Sequence, residues 1–350
     1  MNIIIYYLKI SYAIAKKNIK TRMKVEDFNH FKGQHCETTA TGTLLKQMGI
    51  EFSEPMLFGL GEGLGFIFWN MKTLDFPFIG GRIKTDLVTE NICKNLNLHL
   101  EVEETSSKTK AWENVKKHID QGNTVGLKLD CYHLEYFTSK FHFAGHYVAF
   151  YGYDKEFAYL IDTNQQGGKV KTTLKSLQLA RNEKGPMSSK NRSYTIQKKE
   201  PMTDLKKAVK QAIKNNATEF LNPPIKNIGY KGILKTSSEI KKWFQNSNNV
   251  KDEFQMSASL MENAGTGGSL FRNLYRDFLK ESAELLKSAE IEEAYLEYSK
   301  IAEQWKTVSD LFYQAGTTKN IKYVNEASNI LSKLSENERM QMVKLEKACM

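Results

Sequence analysis

Cys36, His146 and Asp162 follow one another in the order of a thiol nucleophile, its base and the group that orients that base. A thiolate is the nucleophilic form of cysteine, and a helix N-terminus together with a nearby imidazolium lowers a thiol's pKa. Cys36 opens CETTATGTLLKQMG, whose pattern predicts a helix closed at Gly49, a residue type suited to a left-handed cap. His146 begins, and Asp162 nearly ends, GHYVAFYGYDKEFAYLIDT, where two aromatic and β-branched runs flank Asp154, Lys155 and Glu156 and predict a β-hairpin. With the turn there, cross-strand partners carry numbers summing to about 308–311, which sets residue 146 opposite 162–165. His146 and Asp162 are then neighbours at the open end of one hairpin, with Asn164 as the alternative orienting group. Singly, each has an ordinary reading: a small core cysteine, a satisfied polar histidine, a turn-forming aspartate. Together, order, helix start and register give a Cys-His-Asp triad equal standing with those readings.

The surrounding elements mix helix and strand up to about residue 200. GLGEGLGFIFWNMK lacks the strand-loop-helix context and the Lys, Ser or Thr of a phosphate cradle, so it reads as a backbone-packing turn feeding a buried strand. TKAWENVKKHIDQ has Trp112, Val115 and Ile119 on one helical face and stops at Gly122; TVGLKLD after it reads as a strand. From Pro201 onward apolar residues recur at three and four, in DLKKAVKQAIKNN, SEIKKWFQ, SLFRNLYRDFLKESAELL and IEEAYLEYSKIAEQWKTVSDLFYQA. Breaks fall at Asn222 to Pro224 and at the GTGG of 265–268. The expected class is α+β, with a catalytic domain over 23–200 and an all-helical domain over 201–350. Met23 followed by KVEDFNHF resembles a second start, so residues 1–22 read as a non-native or upstream-start extension.

Composition sets the outer bounds. With 41% hydrophobic and 26% charged residues over 350 positions, the chain has globular composition, which excludes a disordered chain, collagen or a coiled-coil fibre. Its four cysteines are scattered, with neither CxxC pairs nor zinc-type Cys/His spacing, so neither a disulfide framework nor a metal is expected. The N-terminal apolar run lacks the features of a signal peptide, and no stretch approaches a bilayer span; the expectation is a soluble, cytoplasmic protein without a membrane partner. The formal charge of +10 is uneven: residues 163–200 hold nine basic and two acidic side chains, whereas residues 1–162 hold equal numbers of each sign. The segment reads either as a solvated, loop-rich surface or as a docking surface for an acidic protein. One aromatic, Tyr194, and no recognition motif argue against nucleic acid.

The segments HCETTATGTLLKQMG, SEPMLFGLGEGLGF, AGHYVAFYGYD and AYLIDT resemble the butirosin side-chain acyltransferase family, and NAGTGGSLFRNLYRDFLKESAE resembles the helical domain that follows in that family. The resemblance covers nearly the whole chain after residue 23 and implies a papain-like cysteine-peptidase fold followed by an all-helical domain. It implies acyl transfer without peptide hydrolysis. An acyl group arrives as a thioester on the phosphopantetheine of an acidic acyl carrier protein, Cys36 takes it, and a small-molecule amine resolves the acyl-enzyme to an amide. His146 would serve as base and Asp162 would orient it; no ATP and no tightly bound cofactor is needed, since the thioester is already activated. The family includes amide-forming enzymes of natural-product assembly, and a closthioamide-type amide synthase is the suspected direction. The alternatives are a papain-like cysteine protease cleaving a peptide or leader, and a binding or immunity protein on a catalytically dead fold.

Papain-like enzymes usually carry an oxyanion-hole Gln six residues before the cysteine; here that position is His30, with Gln34 two before. Gln34, His30, Asn29 and the backbone N–H of Cys36 are therefore all candidates. Glu37 reads as a first-turn acid or a contact for an ammonium acceptor. GTGG reads as a phosphate site at a helix starting near Ser269, with Arg272 one turn in, or as a tight helix-helix turn. His142 reads as a pocket residue or an exposed loop histidine. Lys169, Lys171 and Lys175 are the expected carrier contacts.

Overall fold

Strands and helices are mixed from Arg22 to Gln197, and only helices and short turns follow from Leu205 in the computed structural model, which describes residues 22–25, 29–72, 74–185 and 187–350. The class is α+β. The reading of residues 1–22 as an extension lies, apart from the backbone of Arg22, outside the described residues. Packing divides the chain into two compact units. One comprises the chain up to His30, Val102–Asp162 and Gln166–Thr195; the other comprises Phe31–Glu101, Thr163–Gln165 and Ile196–Met350.

The first unit is built on the sheet strands Val125–Leu129, His146–Asp154, Phe157–Ile161 and Lys169–Thr173, neighbours in that order, with Arg22–Lys24 beside His146–Asp154. Its centre is the predicted hairpin. Asp154 Oδ1 accepts the N–H groups of Glu156 and Phe157 at 2.9 and 2.7 Å, the side-chain-to-backbone pattern that lets Asp set a tight turn. Pairing runs Ala149 with Ile161 and Phe150 with Leu160, then shifts by one to Gly152 with Tyr159. The helix Lys108–Asp120 buries Val115 and Ile119, and Leu174–Asn182 buries Leu177 and Ala180, in one core with Leu127, Leu129, Val148, Phe150 and Leu160. The +7 segment is therefore more ordered than the loop-rich reading: it contains two strands and a helix.

In the second unit the helices Cys36–Gln47 and Glu54–Leu60 precede the paired strands Leu64–Trp69 and Phe78–Arg82. The glycine-rich segment packs as expected of a turn feeding a buried strand. A Cβ at Gly59 would come within 2.1 Å of the Phe278 ring, so that helix can meet the helix Arg272–Leu286 only with glycine there. Phe66 lies against Trp305 at 5.6 Å, joining this segment to the long helix Ala289–Thr318, whose Tyr298 also meets Tyr275 of the helix Arg272–Leu286 at 5.0 Å; the long helix Ile321–Ala348 follows. Among the described residues no helix is long and apolar enough to cross a membrane.

The GTGG segment departs from the phosphate reading. Ser269, Leu270 and Phe271 all have positive φ, so the helix starts at Arg272 rather than near Ser269. Left-handed residues other than glycine cost on the order of 1–3 kcal/mol each and need surroundings that hold them. Here Phe271 stacks on Phe58 at 5.5 Å, and Leu270 O accepts Arg272 Nη1–H at 2.8 Å. The N–H groups of Gly268 and Ser269 are already taken, by Thr266 Oγ1 and the Glu262 carboxylate. A hydroxyl and a carboxylate of this chain occupy the two donors a phosphate would use.

Candidate active site

Cys36 is the first residue of its helix, and His35 before it has extended backbone, φ −88° and ψ 129°, with no side-chain cap. The loop is held from outside the helix. Glu54 accepts the His35 N–H at 2.8 Å, the Gln34 N–H at 2.9 Å and Thr38 Oγ1–H at 2.8 Å. Burial pushes the Glu54 carboxyl above its ordinary 4.5, opposed by those same donors. Thr39 Oγ1–H closes on His35 O at 2.7 Å, and the His35 ring meets Phe271 edge-on at 5.4 Å. Gly265 crowds the same loop: a Cβ there would stand 3.0 Å from Gln34 O. Cys36 itself is partly exposed and a free thiol, whereas Cys93 is buried and its thiol is pushed up to about 12 by that burial. A half-exposed thiol at a helix start is the arrangement a nucleophile requires.

The sheet unit holds His146 and Asp162. His146 and Asp162 are both buried, and His146 Nε2 stands 2.8 Å from Asp162 Oδ2. A carboxylate partner draws the N–H of a neutral imidazole to Nε2 and leaves the basic lone pair on Nδ1. Asp162 Oδ2 also accepts the Tyr136 O–H at 2.7 Å. Burial, and then the Asp162 charge, push the Tyr136 phenol well above its ordinary range, so it stays a neutral donor. Phe137 meets the His146 ring edge-on at 5.3 Å and packs one side of it. Tyr136 carries no sequence signal of this role: it belongs to a loop without periodic pattern, and only the fold brings it to Asp162.

Residues 35–163, a segment that contains Cys36, His146 and Asp162, match the family described as butirosin biosynthesis protein H, N-terminal. Over that segment the chain is BtrH-like. Residues 175–345 match a domain of unknown function, DUF4872. No curated protein matches the chain.

The remaining candidates fall into three groups. Gln34 and Asn29 are exposed, His30 is partly buried, and Asn164 is exposed with its N–H on Gly33 O at 2.9 Å. Asp162, and not Asn164, is the group bonded to His146.

Glu37 is the first-turn acid of its helix, but its reading as an ammonium contact and that of Arg272 as a phosphate contact need correction, because both side chains are buried and engaged. Glu37 Oε1 accepts the Thr89 N–H at 3.1 Å and Oε2 pairs with Arg82 at 3.0 Å, so it ties the nucleophile helix to its neighbours and cannot meet an ammonium acceptor. Burial pushes its carboxyl up, against the Arg82 charge. Arg272, fully enclosed, gives Nε and Nη2 to the two oxygens of Glu338 at 3.0 and 2.8 Å and lies over the Trp305 ring. It has no face for a pantetheine phosphate.

The third group is at the surface. His142 is exposed and stacks on Tyr132 at 4.1 Å, as a loop histidine. Lys169, Lys171 and Lys175 are exposed along the strand Lys169–Thr173 and the helix start after it. Arg181 and Arg192 leave the basic surface: Arg181 is buried on Ala111 O and Asn191 O, and Arg192 pairs with Glu104 at 3.0 Å.

Proposed function

We propose that this chain is a thiol-dependent acyltransferase of natural-product biosynthesis, moving an acyl group from a carrier-protein thioester through Cys36 to an amine. The observation that carries the reading is the buried His146–Asp162 bond, in a segment that matches a family named for butirosin biosynthesis. That bond commits Nε2 and leaves Nδ1 as the base.

In the proposed sequence His146 Nδ1 takes the Cys36 proton and the thiolate attacks the thioester carbonyl. The carbon–sulfur bond to pantetheine breaks, and the imidazolium returns its proton to the departing thiol. An amine then attacks acyl-Cys36, His146 takes one amine proton, the carbon–sulfur bond to Cys36 breaks as the amide forms, and His146 returns that proton to the Cys36 thiolate. The proton count closes without ATP. The Cys36 N–H, at a helix start whose preceding loop Glu54 holds, suits the developing oxyanion. The acidic carrier would dock on Lys169, Lys171 and Lys175, where charge complementarity sets orientation and association rate.

The test supplies acyl-loaded carrier proteins and amines to the purified chain and follows amide formation. Carrier-dependent amide that disappears with Cys36→Ser supports the proposal. Cleavage of peptides without any carrier would assign a protease instead, and neither activity over a broad donor panel would leave a binding protein.

A further inference from the structure

Apart from the candidate active site, the sheet unit gathers two imidazoles and a carboxylate at one place. One ligand atom from each of His133, His142 and Glu183 lies within 4.8 Å of the other two. His133 Nε2 is 2.5 Å from Glu183 Oε2, and the His133 and His142 rings are 6.0 Å apart. Three different elements supply them: the single turn Cys131–His133, the loop before His146, and the residue capping the helix Leu174–Asn182.

Each of these groups is oriented by a further contact. Glu183 Oε1 accepts the Lys184 N–H at 2.9 Å, which turns Oε2 to His133. His142 Nδ1 is 3.5 Å from Asp130 Oδ1, a carboxylate fixed by the Tyr132 N–H at 2.8 Å, and the Tyr132 ring stacks on His142 at an interplanar angle of 13°. A carboxylate behind a histidine is the outer partner that metal-ligating imidazoles usually have. Cysteine spacing could not reveal this group, since no cysteine takes part.

We propose that His133, His142 and Glu183 bind a divalent cation of the zinc class. Two imidazoles and one carboxylate are a donor set for such ions, with the fourth position left to water. Tetrahedral bonds of ~2.0–2.1 Å put ligand atoms about 3.3 Å apart; the ligand atoms here lie within 4.8 Å of one another, and the 2.5 Å contact between His133 and Glu183 would open by less than about 1 Å to admit the ion. His133 would bind through Nε2, Glu183 through Oε2, and His142 through Nε2 with Nδ1 toward Asp130. The cation would pin the loop between His133 and His142, which carries Tyr136 and Phe137, the residues on Asp162 and His146. This proposal stands whether or not the chain transfers acyl groups.

The experiment titrates the full chain, stripped with chelator, with Zn²⁺ alone, reading stoichiometry by calorimetry and the thermal midpoint with and without metal. One equivalent should bind and raise the midpoint. His142→Ala, which removes an exposed side chain and leaves the core intact, should weaken binding at least tenfold and abolish the rise; His133→Gln should do the same. Cys36→Ser should bind as wild type does. Absence of stoichiometric binding at micromolar Zn²⁺, full binding in His142→Ala, or loss of binding in Cys36→Ser would overturn the assignment.

Discussion

His146 Nε2 and Asp162 Oδ2 are 2.8 Å apart across the open end of one hairpin, and Tyr136 O–H reaches the same oxygen at 2.7 Å. Asp162 thereby holds the imidazole in one tautomer while the tyrosine holds the carboxylate. Asp162→Asn keeps the shape but not the tautomer, and should slow formation of acyl-Cys36 by roughly a thousandfold or more with little change in donor KM. Tyr136→Phe removes one hydrogen bond to a charged group, worth about 1.5–3 kcal/mol, and should slow the same step far less. Single-turnover kinetics with a thioester donor separates the two; equal effects, or none from Asp162→Asn, would contradict the assigned roles.

How much of this was legible beforehand depended on how local each determinant is. Hairpin register follows from alternation and turn chemistry within about twenty residues, so the pairing of His146 with Asp162 could be counted from the sequence. The helix opening at Cys36 was equally local. Arg272 failed as a phosphate contact because its partner, Glu338, is 66 residues away, and no nearby pattern announces a buried ion pair. Glu54 is the first-turn acid of its helix, and the fold turns it back to clamp Gln34, His35 and Thr38, a role no local pattern announces.

Glu54 makes a pH-dependent prediction. Its folded pKa is raised above the ordinary 4.5, chiefly by burial. A group raised in this way contributes stability that is fully present below the unfolded value and is lost as pH rises through the folded value. The stability advantage of wild type over Glu54→Gln, measured by urea unfolding, should therefore be largest near pH 4 and shrink toward pH 7. An advantage that grows over that range would contradict the burial-dominated environment.

The enclosed Arg272–Glu338 pair makes a third prediction. Removing one partner leaves an uncompensated buried charge, so Arg272→Met or Glu338→Leu alone should cost about 3–5 kcal/mol, whereas the double variant should recover much of that loss. Trp305 Nε1–H also rests on Glu338 Oε1 at 2.6 Å, which makes Glu338→Leu the costlier single change. Chemical denaturation of the four proteins completes the cycle; additive losses would mean that the pair does not act as a unit.

Charge reversal tests the docking surface. Changing Lys169, Lys171 and Lys175 to Glu should raise the apparent KM for carrier-bound donor by ~3- to 10-fold, more at low salt, and leave a small pantetheine thioester unaffected. Equal effects on both donors would remove the carrier from that strand.

The central claim is that Cys36 becomes acylated, and intact-protein mass spectrometry with acceptor withheld tests it most directly. Incubation with acyl-loaded carrier should add one acyl mass, released by hydroxylamine, absent from Cys36→Ser and mapped to Cys36 by peptide digestion. An unshifted mass across a broad panel of loaded carriers, or an adduct that persists in Cys36→Ser, would contradict the account.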